Sequence, residues 1–379
     1  MNIRLLSIYL VILLSGCFGS KDNSEPPAPL VEFTPTVTLK TLWTSYIGNS
    51  DETSYTKLIP VAYDGLLFTA SNDGLIQALN LTDGRPVWQQ EIDTPISGGP
   101  GIGEGLAVVG TQKGEVIALS KIDGTEKWRT QVSSEVLATP RINQGIAVVR
   151  TIDGKVFGLD SQTGNRLWIY ERTRSSLLSL RGTSTPILVQ DLIIAGFDNG
   201  KIALLELKTG KVLWETAIAV PSGRTELERM VDIDADPILK GDIVYVTSYQ
   251  GHTVAIDLMK GGLLWQKRLS SYAGLGVDAN YLYLTDPNSY VYALERFSGD
   301  DWWRQDKLKA RGITAPVSIG EYVVVGDMEG YLHWMKRDDG SFVVRHRIGK
   351  YPITLPALVV DNTLIAYNSD GKIVALSYE

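Results

Sequence analysis

Two stretches of this 379-residue chain combine charge with apolar side chains in a way suited to gripping another protein. Glu171-Arg172-Thr173-Arg174-Ser175-Ser176-Leu177-Leu178-Ser179-Leu180-Arg181-Gly182 is basic, and its leucines have no obvious core to join. The stretch from Pro221 to Asp236 is acidic and ends Asp232-Ile233-Asp234-Ala235-Asp236. Arginine and leucine flanked by charge have the anatomy of a protein-binding patch. An internal use competes with this one: Arg181 pairs with Asp232 or Asp234, and the leucines pack underneath. Both can hold together, because an internal pair would pre-organise the patch. Thr225-x-x-Glu228 fits a capping box, which predicts a short helical turn there.

Other chemistries find less support. Three histidines and one cysteine leave little for a transition-metal site, and a single cysteine forbids an intrachain disulfide. His252, His333 and His346 are scattered, without a ligand spacing. No Ser/His/Asp set accompanies a nucleophile elbow, and no glycine loop is built to cradle phosphate. A formal charge of −7 argues against nucleic acid as a partner. No catalytic residue, metal or cofactor is assigned.

The scaffold that must position the two stretches is a repeat. One unit runs Pro, turn, apolar strand, Gly turn, strand ending Ala-Leu, Asp/Thr-Gly turn, and then a Trp four residues after that glycine. The Trp series is Trp43, Trp88, Trp128, Trp168, Trp214, Trp265 and Trp303, with Val344 in the eighth slot. The Pro series is Pro60, Pro100, Pro140, Pro186, Pro237, Pro316 and Pro356, with Gly276 as a substitute. A unit of about 40 residues with four short strands is the signature of a β-propeller blade. The fold class is therefore all-β, an eight-bladed propeller of four-stranded blades. The seven tryptophans read as spacers between blades rather than as ligand platforms.

The chain ends on the third strand of a blade, Gly371 to Leu376, with no Trp strand after it. The missing fourth strand is predicted around Leu39–Ile47, so that the N-terminal strand joins the C-terminal blade and hides both edges. Val344, in the last blade beside this clasp, puts stability there in question.

Regular repeats make departures measurable. Trp88 to Pro100 and Trp128 to Pro140 span twelve residues each. Trp168 to Pro186 spans eighteen and Trp214 to Pro237 twenty-three, whereas later connections return to between eleven and thirteen. The first, Trp43 to Pro60, is seventeen but lies beside the clasp. The two overgrown neighbours are the charged stretches, placed on one face of a rigid disc, where function tends to sit.

Residues 1–16 read as a signal peptide: Arg4, then the short apolar run Leu5–Leu14. Leu14-Ser15-Gly16-Cys17 resembles the lipobox of bacterial lipoproteins, which implies lipidation at Cys17. Phe18 follows in place of the aspartate that retains lipoproteins in the inner membrane. The implied location is the outer membrane, lipid-anchored and facing the periplasm. Residues 17–36 read as a flexible, Pro-rich tether, and residues 37–379 as one propeller domain.

Taken together, the lipobox, the eight repeats, Leu178-Ser179-Leu180-Arg181-Gly182 and Glu226 to Pro237 resemble the BamB family. Its members are the propeller lipoproteins of the outer-membrane β-barrel assembly machinery. The resemblance implies a non-catalytic scaffold that docks the POTRA domains of the barrel subunit BamA and assists folding and insertion of β-barrel proteins. It implies partner contacts at Leu178, Ser179, Leu180 and Arg181, supported by Asp232 and Asp234. Other lipoproteins of the machinery would be reached indirectly, and unfolded outer-membrane proteins are further candidate partners. Two alternatives stand beside it. One is a quinoprotein-dehydrogenase-like enzyme, since those propellers share the Trp repeat. The other is a generic periplasmic propeller scaffold.

Overall fold

The computed structural model describes residues 25–48, 56–171, 184–219, 232–249 and 251–379. Among them are eight four-stranded antiparallel sheets and no helix. Seven sheets are consecutive in sequence, spanning 61–91, 96–131, 141–170, 187–217, 238–267, 275–305 and 317–347. The eighth joins Leu358–Val360, Thr363–Tyr367 and Lys372–Tyr378 to Leu39–Tyr46. Trp43 lies opposite Ala375, so the clasp forms in the expected register.

The core lies between sheets rather than within any one. Phe68, Ala78 and Trp88 of the first sheet pack with Ala107, Val109 and Leu119 of the second. The repeat motif explains how neighbours lock. Each of the seven tryptophans donates its Nε1–H to a carbonyl of the following sheet at 2.7–3.0 Å. Its ring lies against the glycine of that sheet's last turn. A Cβ at Gly124 would stand 2.6 Å from the Trp88 ring, and φ there is +73°. The turn glycine is thus fixed twice, by its backbone conformation and by the indole on top of it. On its own sheet the Trp faces alanine or glycine in six of the seven cases, as in Ala78–Trp88 and Gly158–Trp168, and Leu204 in the case of Trp214.

This geometry accounts for Val344. The residue belongs to the outer strand of the seventh sheet, not to the last blade as the sequence suggested. Its neighbour is the closing sheet, where the third and fourth strands come from opposite ends of the chain and no turn joins them. A Trp at 344 would therefore find no turn glycine to lie on. The pairing is inverted instead, with Trp334 opposite Val344. Trp334 is fully buried and packs 5.7 Å from the Tyr378 ring of the closing sheet. Its Nε1–H has no hydrogen-bond partner among the described residues, unlike the seven repeat indoles. We expect Val344→Trp to overfill this site and cost about 1–3 kcal/mol. Adding Trp334→Ala should recover part of that loss, which chemical denaturation of both variants would measure.

Residues 25–36 differ from the free tether expected of their composition. They run along the seventh sheet and are pinned at several points. Ala28 N–H donates to Lys309 O, and Thr36 N–H donates to Val343 O, both at 2.9 Å. Arg311 Nη1 and Arg345 Nη2 donate to the Ala28 and Val31 carbonyls, also at 2.9 Å. Phe33 stacks on Phe342 with ring centroids 5.5 Å apart. The apolar residue preceding the Trp slot shows the effect of this strap. Val87, Leu167 and Leu213 are exposed on their sheets, whereas Val343 is buried under the strap.

Candidate functional site

Leu178, Ser179, Leu180 and Arg181 lie outside the described residues, as do Cys17 and the Thr225–Glu228 capping box. The structure instead shows the roots of the two long connections and what holds them together.

The second connection returns through Asp232–Asp236. Backbone bonds seat it between two sheets: Ile233 N–H donates to Phe197 O at 3.2 Å, and Tyr249 N–H donates to Asp232 O at 2.9 Å. Ile233 and Ala235 enter the core, and Asp232 and Asp234 are buried as well. Burial pushes the Asp234 carboxyl above its ordinary value, against the pull of Lys57 and Arg150. Carboxylates in such a place need cations close by.

Three basic residues supply them. Arg150, at the end of the strand Ile146–Arg150, is buried. Its Nη1 donates to Ser184 O and Ser184 Oγ, both at 3.0 Å, at the point where the first connection re-enters the fold. Its guanidinium lies 5.3 Å from the Phe197 ring centroid. Burial lowers its pKa, opposed by Asp198, Asp234, Asp236 and Asp232. Burial likewise lowers Arg141, opposed by Asp236. Lys57 Nζ donates to the Asp234 carbonyl and to Asp236 Oδ1, the latter at 3.1 Å.

Asp236 is the meeting point. The same Oδ1 that takes Lys57 also accepts the Thr185 N–H at 2.7 Å. The C-terminal roots of both long connections are therefore joined through one carboxylate. Chemically this is a supported platform, in which buried and partly buried charges fix where the two connections re-enter the disc. Of the six residues expected to bind a partner, the described ones, Asp232 and Asp234, sit at its base.

Lys57, Arg150, Thr185 and Asp236 were not among the residues singled out from sequence. Asp236 was legible in the alternation Asp232-x-Asp234-x-Asp236. The signal for Lys57 was the seventeen-residue first connection, which was ascribed to the clasp.

Similarity to known proteins bears on this platform. A family profile described as outer membrane protein assembly factor BamB matches residues 72–305 and 288–379. The Pseudomonas aeruginosa outer membrane protein assembly factor BamB is 43% identical, covering 97% of this chain and 96% of that protein. The Escherichia coli protein of the same name is 33% identical over 97% and 96%. The crystal structure of BamB from Moraxella catarrhalis superposes with a TM-score of 0.82 at 28% identity, covering 90% of this chain and all of that one. A quinohemoprotein alcohol dehydrogenase from Pseudomonas putida reaches a TM-score of 0.70 at 13% identity, a likeness of fold alone.

Proposed function

The chain belongs to the BamB family of outer membrane protein assembly factors, and from that membership we propose how it works. It is a scaffold. The two long connections dock the POTRA domains of the barrel subunit BamA, with Leu178, Ser179, Leu180 and Arg181 in contact and Asp232 and Asp234 behind them. The observation that carries this reading is the shared root at Asp236, which ties the C-terminal ends of the two connections to one carboxylate. A surface organised before it meets its partner spends less of its interaction energy on ordering.

Cys17 is lipidated, which holds the protein at the outer membrane with the propeller in the periplasm. Eight Cα-to-Cα steps lead from Cys17 to Glu25, where the strap begins. Fully extended, they reach at most about 29 Å. The lipid thus keeps the seventh sheet close to the bilayer, not on a long leash.

A pull-down with purified POTRA domains tests the docking. Arg181→Glu should abolish retention of the partner and leave the thermal melt unchanged, as should Leu180→Asp. Wild-type retention by both variants would refute the assignment.

A further inference from the structure

We propose that Lys57 is a strut across the propeller axis that couples the roots of the two long connections, and so acts as a positioning residue for the docking surface. The second half of this inference rests on the docking reading above.

In a ring of eight, the first and fifth sheets stand opposite one another. Lys57 leads into the first and Asp236 into the fifth, so their contact crosses the axis. Its near end is anchored. The Lys57 backbone bridges in parallel to Gly98 on the inner strand of the second sheet. Gly98 packs closely on the third sheet's approach and leaves no room for a side chain, because a Cβ there would stand 2.6 Å from Val136 O and 2.7 Å from Ala138 O. At the far end, Lys57 Nζ holds the Asp234 carbonyl and Asp236 Oδ1, and Asp236 Oδ1 holds Thr185 N–H. One ammonium therefore links the approaches to the first and fifth sheets directly, and the approach to the fourth through one shared oxygen.

The energetics separate this role from a purely structural one. The Lys57 and Asp236 side chains keep 22% and 34% of their exposure, so water and salt screen the pair. The ring is closed elsewhere, by the clasp and by the indole locks. Removing the ammonium should leave global stability nearly untouched and loosen only the roots.

The test uses the full chain with Lys57→Met, which keeps the apolar stem, and Lys57→Arg, which keeps a cationic donor. Amide exchange in the absence of partner reads the strut itself. In Lys57→Met, exchange at Thr185 and Ile233 should quicken by about tenfold, while amides of the seventh sheet and the melt stay at wild-type values. Unchanged protection at Thr185 overturns the strut. Affinity for POTRA domains reads the positioning: Lys57→Met should weaken it by about tenfold and Lys57→Arg should restore most of it. Faster exchange with undiminished affinity overturns the positioning role. If neither the wild type nor Arg181→Glu binds POTRA domains, the docking reading fails, and the exchange rates still decide the strut.

Discussion

A chain lacking residues 39–47 should melt far below the full-length protein. These residues supply the outer strand of the eighth sheet, paired with Lys372–Tyr378 along its length. They also bring Trp43 and Ile47 into a core shared with Leu67, Leu79, Ile365 and Ile373. Trp43 crosses to the first sheet, where its Nε1–H meets Leu81 O at 2.9 Å. Removing the strand strips the lock between the eighth and first sheets and bares an edge. Truncating one buried Trp to alanine costs about 3–5 kcal/mol. Loss of the whole strand exceeds that and approaches the entire stability of an ordinary domain, about 5–15 kcal/mol. Thermal unfolding followed by circular dichroism measures it, with Trp43→Ala as the intermediate case. A melt unmoved by the deletion would mean that the ring does not depend on this closure.

The second large effect is expected at Asp327, which is fully buried. Its Oδ2 accepts from Arg311 Nε at 2.8 Å, from Arg311 Nη2 at 2.7 Å and from His333 Nε2 at 2.8 Å. Its Oδ1 accepts the backbone N–H groups of Glu329 and Tyr331, both at 2.9 Å. Arg345 Nε donates to His333 Nδ1 at 3.4 Å, which leaves the imidazole neutral with its proton on Nε2. The two arginines that hold the strap carbonyls are thus both oriented from one carboxylate. Asp327→Ala leaves buried cationic and polar groups without their acceptor. Breaking such a pair from one side costs about 3–5 kcal/mol. Denaturant titration should show that loss, and limited proteolysis should show residues 25–36 released from the seventh sheet.

The same cluster sets a pH dependence. Burial lowers the His333 pKa below its ordinary 6.5, against the hydrogen bond and charge of Asp327. Burial alone would raise Asp327, but His333, the Tyr331 N–H and Arg311 outweigh it and hold the carboxyl below 3.8. Both groups bind protons more readily in the unfolded chain. Stability therefore falls as pH drops, first as His333 titrates below about 6.5 and again as Asp327 does below about 3.8. In Asp327→Ala the lower of these two losses should vanish.

The propeller was legible because each blade repeats the same physical solution. The large ring, the positive-φ glycine beneath it and the small residue opposite recur at fixed spacing, and the eye needs only their period. Val344 looked like a flaw for the same reason. Its compensation, Trp334, stood in the Ala-Leu slot of the same unit, but the cause is topological: the next blade has no turn there. The strap was not legible. Its prolines and polar residues carry no periodicity, and the arginines that hold it lie some three hundred residues away. Lys57 escaped in the same way, since its partner is 179 residues distant. Loop length did locate the acidic segment, because insertions break a regular count wherever they fall.

Closure by the two termini also has a consequence in time. Seven sheets are local meanders, each able to form as soon as its own residues are available. The eighth requires the first strand of the chain to wait for the last, so the slowest contact is also the final one to become possible. Until then the chain presents unpaired edges at both ends of an open arc. A chain stalled or clipped before residue 372 would remain in that open state, prone to capture by any extended neighbour.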